Sequence, residues 1–183
     1  MNAIDILVKE HDSILKMIEI TQTVLNSKDE TNIDLNHVEK MIDFVINFAD
    51  KYHHLKEEDV LFMEMEKHGM PREGGPIGVM LHEHDQGRAY IKAAVEGIAK
   101  LKAGDNSAFE QIKKNLLNYC ELLSNHIYKE NNILYPMAQR FLPSEILDGM
   151  TVDFREANLS TPNNEYSDKY LVLVNELSTI YLQ

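Results

Sequence analysis

The sequence predicts an all-α fold: an up-down-up-down four-helix bundle made from a duplicated helical hairpin, with an additional C-terminal helix. Three observations support this fold class. Helix-breaking residues are few, with 8 Gly and 5 Pro in 183 residues, and they cluster at a few places. Between those places, apolar residues recur at the spacing of one helix face. The first part of the chain also matches a later part at a constant offset.

The four bundle helices can be placed from these breaks. The first is predicted at about 3–25 and the second at about 34–67, each with an inward apolar stripe. The third begins near Pro76, a residue favoured in a first helical turn, and continues to about 102. The fourth begins at Ser107, where Ser-Ala-Phe-Glu has the pattern of a capping box, and continues to about 140. Short connections between long amphipathic helices favour an antiparallel bundle.

The tail of the chain falls outside this pattern. We therefore predict a bundle domain over residues 1–140 and a C-terminal extension over residues 141–183, with one helix at about 164–182. That helix has no counterpart in the repeat. We expect it to pack against the outside of the bundle or at a homodimer interface.

Composition and charge exclude several classes of partner. A formal net charge of −12 argues against nucleic acid and anionic membranes, because both repel an acidic surface. The one cysteine, Cys120, rules out an intramolecular disulfide and a thiolate-bound metal cluster. The N-terminus has no basic region followed by an apolar run, and no apolar stretch is long enough to span a bilayer. The expected localisation is cytoplasmic.

The internal repeat identifies a candidate site. Residues 73 positions apart match, as from His11 to His84. At this shift, each first helix of a hairpin keeps one histidine, and each second helix keeps a histidine and a glutamate four residues apart. Residues at that spacing share a helix face, so each pair can point at one atom. The candidate metal ligands are therefore His11, His53, Glu57, His84, His126 and Glu130.

The donor types indicate the class of metal. Imidazole with carboxylate, and no thiolate, suits iron, manganese or zinc. Carboxylates can bridge two metals, as they do in other helix bundles. A buried carboxylate is costly without a partner, and a pair of dications would offset that cost. A single histidine of this kind is more often a hydrogen-bonded core residue, and a single histidine–glutamate pair is common on exposed helix faces. Retention of all six residues at one shift nevertheless favours the metal site.

The repeat also separates the candidates from their neighbours. His54 and Glu58 have the same spacing as His53 and Glu57, but the shift places them on an isoleucine and an asparagine. We therefore favour His53 and Glu57 as ligands and predict that the other two lie outside the set. His82, two residues before a candidate ligand, is expected on the surface.

The chain resembles the hemerythrin-like family in four segments, which are LVKEHDSIL, FADKYHHLKEEDVLF, GGPIGVMLHEHDQGR and LLSNHIYKENNILYP. They match, in order, the four motif regions of that family's histidine-histidine-glutamate cation-binding domain, over about residues 3–140. The resemblance implies a four-helix bundle with a non-haem di-iron site, bridged by an oxygen atom and two carboxylates. Manganese and zinc are less favoured. By position, the resemblance gives the same six ligands.

One departure bears on function. Oxygen-carrying members have another histidine one turn along the third helix, where this chain has Arg88. They also have a histidine–aspartate pair at five-residue spacing on the fourth helix, where it has His126 and Glu130. The more symmetric set looks closer to the bacterial proteins associated with nitric-oxide stress and repair of iron–sulfur clusters. If Arg88 points inward, its charge favours bound anions; if outward, it is an exposed charge near Asp85.

The expected function is the binding or sensing of dioxygen or nitric oxide, because the resemblance leaves about one coordination position open per metal. The alternative is a di-iron enzyme of oxidative or nitrosative stress defence. Such an enzyme reduces nitric oxide, dioxygen or peroxide with electrons from a donor protein, or delivers iron for iron–sulfur repair. A structural metal bundle acting through partners is the third reading. Tyr52, Tyr119 and Tyr128 lie near the ligands in sequence, where packing is the expected role.

Overall fold

The computed structural model describes residues 2–27, 33–160 and 165–182. Every regular element in these ranges is helical, and they contain no strand. Helix α1 is Ala3–Leu25 and α3 is Pro76–Lys102. Helix α2 runs over 35–67 and consists of α-helical Leu35–Phe44, π-helical Val45–His54 and Glu57–Leu61, and α-helical Phe62–Lys67. Helix α4 runs over 108–141 and consists of Ala108–Lys129, π-helical Glu130–Leu134 and Tyr135–Phe141. Helices α5 and α6 are Ser144–Ser160 and Glu165–Tyr181.

Local interactions explain where the first helices begin. The Asn2 side chain accepts a hydrogen bond from the Asp5 N–H at 3.0 Å, and the Asp5 carboxylate accepts one from the Asn2 N–H at 2.9 Å. Asp34 caps α2 by accepting from the Asn36 N–H at 2.8 Å. Pro76 is the first residue of α3, as predicted. Each of these groups satisfies or removes an N–H that the first helical turn would otherwise leave unpaired.

The predicted capping box at the start of α4 is wrong. Ser107 already has helical backbone angles, with φ −69° and ψ −18°, and its side chain makes no capping hydrogen bond. Its N–H and its hydroxyl both donate to Asp105 Oδ1, at 3.1 and 2.6 Å. The sequence pattern predicted that the Ser107 hydroxyl would bond to the helix backbone, but it bonds to the Asp105 carboxylate instead.

The tail contains two helices where one was predicted. Helix α6 corresponds to the predicted element at about 164–182, although residue 164 lies outside the described residues. Helix α5 was missed because its sequence is mostly polar, with only Leu147, Met150 and Phe154 buried among its described side chains. It packs on α1 and on the π-helical turn Glu57–Leu61, whereas α6 packs on α1 and on Val45–His54.

Two apolar clusters flank a buried polar layer. One cluster combines residues of 3–7, 61–70, 77–80, 134–142 and 147–154. The other combines residues of 14–25, 38–49, 91–98, 112–127 and 170–177. On α1, α2 and α3 the candidate ligands lie between the two clusters. On α4, His126 lies at the end of the second cluster, and Glu130 lies between the two clusters. Along α1 and α3 the chain passes through the first cluster and then the second, and along α2 and α4 it passes through them in the opposite order. In the described part of the chain, no helix is long and apolar enough to cross a membrane.

Candidate metal centre

The six candidate ligands meet in the polar layer, and none is more than 2% exposed. His11 of α1 and His53 of α2 form what we call the first histidine pair, with 2.9 Å between their Nε2 atoms. His84 of α3 and His126 of α4 form the second histidine pair, with 3.0 Å between their Nε2 atoms. The two pairs are related by the 73-residue shift of the repeat, from His11 to His84 and from His53 to His126. All four imidazoles thus direct Nε2 towards another candidate ligand.

The two glutamates lie between the histidine pairs. Glu57 Oε2 is 3.7 Å from His53 Nε2 and 3.5 Å from His84 Nε2. Glu130 Oε2 is 3.3 Å from His11 Nε2, and Glu130 Oε1 is 3.0 Å from His126 Nε2. Each carboxylate therefore faces one histidine of each pair, which is the position that a bridging carboxylate requires.

The unsatisfied oxygens of these glutamates fit a metal ion. Both residues are fully buried, yet Glu57 Oε2 and both carboxylate oxygens of Glu130 form no hydrogen bond within the described residues. Buried carboxylates are normally paired or metal-bound, because leaving water without compensation is costly. Two compact groups, each with its ligand atoms within 4.8 Å of one another, contain His11, His53, Glu57 and Glu130, and His54, Glu57, His84 and His126.

The protonation states show how the protein tolerates this cluster. Burial and the neighbouring Glu130 raise the pKa of Glu57 well above its usual value. Burial opposes ionisation of Glu130 too, but His126 and His11 hold the pKa of Glu130 well below its usual value. Burial disfavours the charged form of His126, but Glu130 and Glu83 outweigh it and raise the pKa of His126 to about 9. The direction of these shifts favours the protonated forms of Glu57 and His126, and a metal ion would take the place of such protons.

Two glutamate–lysine pairs support the histidines of α2 and α4. His53 Nδ1 is 2.9 Å from Glu10 Oε2, and His126 Nδ1 is 2.9 Å from Glu83 Oε2. The other oxygen of each carboxylate accepts a hydrogen bond from a lysine ammonium, Lys56 in the first case and Lys129 in the second. Such partners of metal-binding histidines fix the ring orientation and direct Nε2 inward. Sequence reasoning assigned these residues no role, although the repeat retains all of them.

The histidines of α1 and α3 have supports that differ in chemistry. His11 Nδ1 is 2.8 Å from Asn131 Oδ1, and His84 Nδ1 is 2.7 Å from Glu58 Oε1. Asn131 and Glu58 occupy equivalent positions in the repeat. The replacement of a glutamate by an asparagine led the sequence analysis to exclude Glu58 from the ligand set, and the structure gives both residues a supporting contact instead.

Two π-helical turns begin at the candidate glutamates. Glu57–Leu61 and Glu130–Leu134 are equivalent in the repeat, so both hairpins have the same irregularity at the same place. Single π-helical turns within α-helices are frequently found at functional sites. The sequence placed each histidine and glutamate on one helix face but contained no recognisable signal for this winding.

His54 is buried against the second histidine pair, although the sequence analysis placed it outside the site. Its ring centroid is 3.8 Å from that of His84, with the ring planes 13° apart. Its Nδ1 is 3.3 Å from Asp50 Oδ1. Burial and the neighbouring His84 lower the pKa of His54 well below its usual value, and burial beside His11 does the same to the pKa of His53. Both imidazoles are therefore neutral at pH 7, the form that binds metals.

Arg88 points to the rim of the site rather than into it. Its guanidinium lies 2.8 Å from Asp50, 2.6 Å from Glu58 and 3.1 Å from Asp85, and its side chain is 39% exposed. The inward alternative of the sequence analysis is therefore wrong. The three carboxylates balance the charge of Arg88, and two of them also contact His54 and His84.

Tyr135 contacts the site directly and was not predicted to do so. Its hydroxyl donates to Glu57 Oε1 at 2.6 Å, and its ring lies parallel to that of His11, with centroids 5.5 Å apart. Of the tyrosines named from the sequence, Tyr128 is 64% exposed. Tyr119 is buried, and its hydroxyl has no hydrogen-bond partner in the described part of the chain.

A cavity of about 400 Å³ adjoins the second histidine pair. It reaches His54, His84 and His126, and Arg88 lines it as well. Most of its wall is apolar and comes from Val45, Ile46, Ile91, Val95, Leu122 and Leu123, with Tyr119 beside them. A mostly apolar pocket that ends at a few convergent polar groups is the usual form of a small-molecule site.

Comparisons with known proteins agree with this geometry. A family model described as the hemerythrin HHE cation binding domain matches residues 2–138, which confirms the resemblance seen in the four segments. An iron-sulfur cluster repair protein YtfE of Dickeya chrysanthemi (strain Ech1591) is 31% identical over 90 residues, 48% of this chain and 41% of that protein. The protein of the same name from Musicola paradisiaca (strain Ech703) is 35% identical over 92 residues, 48% of this chain and 40% of that protein.

Proposed function

Because the chain belongs to the hemerythrin HHE cation-binding family, we propose that it holds two iron ions and binds a small gaseous ligand, dioxygen or nitric oxide. The ligands in this proposal are the six predicted from the repeat: His11, His53, Glu57, His84, His126 and Glu130. The observation that carries the proposal is the position of Glu57 and Glu130, each facing both histidine pairs with buried oxygens that form no hydrogen bond. The reversed order of the apolar clusters supports an up-down-up-down arrangement of the four helices that provide these ligands.

Iron is the metal that the resemblance to the hemerythrin-like family implies for this donor set. Four imidazoles and two carboxylates, without thiolate, are compatible with iron, manganese and zinc. Structural zinc sites are closed and four-coordinate, whereas the two groups here share Glu57, so one carboxylate would serve two metals. When bound, a pair of irons supplies reversible one-electron chemistry and open positions for a diatomic ligand.

The residues around the centre favour a small neutral ligand. The cavity wall is apolar, so it admits dioxygen or nitric oxide more readily than a charged molecule. The Tyr119 hydroxyl is the buried polar group in this wall that lacks a partner within the described residues. On the opposite side, Tyr135 holds Glu57 in place through its 2.6 Å hydrogen bond.

A second candidate function comes from the relatives. Both are named iron-sulfur cluster repair proteins, and the aligned segment spans about two fifths of each, at 41% and 40%. The corresponding proposal is a di-iron enzyme of oxidative or nitrosative stress defence that reduces a gas or peroxide with electrons from a donor protein, or that supplies iron to damaged clusters. The same ligands serve either function, because binding and turnover differ in electron supply rather than in the donor set.

Anaerobic titration of the reduced, iron-loaded protein separates these candidates. We expect metal analysis to give two irons per chain, with near-ultraviolet and visible absorption after oxidation. Addition of dioxygen or nitric oxide should give a saturating spectral change that removal of the gas reverses. Continuous consumption of the gas with an added electron donor would favour the enzyme instead. One tightly held zinc per chain with no second metal would contradict both proposals.

A further inference from the structure

His54 is buried between α2 and α3, outside the set of six proposed ligands. It directly follows His53, and consecutive residues of a helix point in different directions around the helix axis. His53 contacts Glu10 and His11 of α1, whereas His54 stacks on His84 of α3. Both are buried, with His54 only 5% exposed. Neighbouring histidines of one helix thus reach different histidine pairs.

The distances place His54 within a group of metal-binding type. Its ligand atom lies within 4.8 Å of those of Glu57, His84 and His126. The group around the first histidine pair satisfies the same distance limit with two histidines and two glutamates. The second group therefore contains a third imidazole that has no equivalent in the first.

The support of His54 is of the same kind as that of His53, His84 and His126, each of which has a carboxylate against Nδ1. Its Nδ1 lies against the Asp50 carboxylate, so Nε2 is the nitrogen available to a metal. Asp50 is held in turn by Arg88, whose Nε donates to Asp50 Oδ1 at 2.9 Å. A carboxylate that contacts the outer nitrogen of an imidazole is the usual support of a metal-binding histidine.

We propose that His54 is a seventh protein ligand, which donates Nε2 to the metal held by His84 and His126. This inference rests on the proposed two-metal centre and makes it asymmetric, with three imidazoles on one metal and two on the other. His54, His84 and His126 all line the cavity, so the three imidazoles proposed for this metal face it.

The competing explanation is that His54 contacts a molecule in the cavity without binding metal. The two explanations differ in what the metals experience when no gas is present. A ligand affects the resting metal, whereas a cavity residue affects only the bound gas. A resting-state spectrum therefore distinguishes them without any measurement of activity.

The experiment compares full-length wild type, His54→Ala and His54→Phe, each loaded with ferrous iron and then oxidised. The phenylalanine variant keeps a ring against His84 but has no donor nitrogen. His82→Ala is the matched control, because His82 is exposed on α3. Mössbauer spectra give the environment of each iron, and competition with a chelator gives the affinity.

We expect wild type and His82→Ala to show two iron environments in equal amounts. In both His54 variants one environment should change while the other stays, and one iron should be lost to chelator at least about tenfold more readily, the lower limit for loss of an outer partner. Free imidazole should restore the wild-type spectrum of His54→Ala. Unchanged spectra and affinities in the variants, or a change in His54→Ala that His54→Phe does not share, would overturn the seventh ligand alone. A wild type that does not hold two irons would overturn the two-metal centre as well.

Discussion

The two halves of the metal centre share their inner ligands and differ in what surrounds them. We define the first half-site as the first histidine pair with Glu10, Lys56, Asn131 and Tyr135. The second half-site is the second histidine pair with Glu83, Lys129, Glu58, Phe62, His54, Asp50 and Arg88. The repeat relates Glu10 to Glu83, Lys56 to Lys129 and Tyr135 to Phe62. It provides no counterpart of the same type for His54, Asp50 or Arg88.

This difference separates two tasks of the protein. The residues that both half-sites retain hold and orient the ligands. The residues that only one half-site has lie around the ligands. Tyr135 contacts Glu57 on one side, and His54 and Arg88 line the cavity on the other. Each hairpin needs the same types of residue to hold a metal, whereas a small molecule needs a path to the centre from only one side. A duplicated site can therefore become asymmetric without losing its metals.

The largest expected effect is at the residues that both half-sites use. Glu57→Ala or Glu130→Ala should abolish the two-metal centre, because each carboxylate faces both histidine pairs. Metal analysis after gel filtration should give at most one iron per chain. Glu58→Ala is the matched control. It removes only the support of His84 and should keep two irons with an affinity about 10- to 100-fold lower. The ligand register would be wrong if Glu58→Ala loses the centre and Glu57→Ala keeps it.

The equivalent supports should differ in their effect on stability. Lys56 is fully buried, whereas the Lys129 side chain is 33% exposed. Glu10→Gln leaves a buried ammonium without its carboxylate and should cost about 3–5 kcal/mol in the free energy of unfolding of the metal-free protein. Glu83→Gln should cost about 1 kcal/mol or less, because water can solvate Lys129.

Urea titration followed by circular dichroism measures both free energies. The double variant Glu10→Gln with Lys56→Met should recover part of the loss, because it removes the uncompensated charge. Equal losses in Glu10→Gln and Glu83→Gln would show that the two supports are energetically alike, against the difference in their burial.

Tyr135→Phe makes the first half-site resemble the second, where Phe62 stands. Removal of the hydroxyl deletes the donor to Glu57 Oε1, which should cost about 1–3 kcal/mol in the unfolding free energy of the metal-free protein. We expect both irons to be retained, because Tyr135 is not in the ligand set. Tyr128→Phe is the control: its ring is 64% exposed, and it should change stability by about 0.5 kcal/mol or less. A Tyr135→Phe protein that binds a single iron would instead make the hydroxyl necessary for the centre.

The smallest effect is expected at Arg88, whose counterpart in the repeat is Leu15. Arg88→Leu removes a half-exposed cation from Asp50 and Glu58, and such pairs contribute about 1 kcal/mol or less. Both irons should therefore stay, with a small loss of affinity at the second half-site. Isothermal titration with ferrous iron and stopped-flow mixing with peroxide measure the two properties. A reaction with peroxide that becomes at least tenfold slower, at full metal content, would show that Arg88 acts on the reacting species from the rim.

The sequence predicted best those features that local chemistry or the repeat determines. Helices α1 to α4 were placed to within about a residue, because glycines, prolines and caps mark their ends. Helix α5 was missed because its apolar face is short, with only Leu147, Met150 and Phe154 buried among its described side chains. The failed capping box at Ser107 shows that a four-residue pattern does not reveal a competing acceptor such as Asp105.

The same reasoning explains which site residues were found. The six candidate ligands were recognisable because both hairpins retain them, and the structure brings their side chains together. Tyr135, His54 and Asp50 were missed because a search for what two hairpins share discards whatever only one of them has. Their roles depend on packing between α2, α3 and α4, which brings together residues far apart in the chain. Glu10 and Glu83 were retained in the repeat, but their function became visible only through the contacts of their carboxylates.

The position of each glutamate opposite a histidine of the other hairpin has a consequence for how the chain assembles. Glu57 faces His84 across the hairpin boundary, and Glu130 faces His11. Neither hairpin alone can complete a bridged pair of metals, so docking of the two hairpins and completion of the centre are one event. Metal bound only in the docked state stabilises that state by mass action. In the proposed two-metal protein, the supply of metal would therefore determine how firmly the two hairpins stay together.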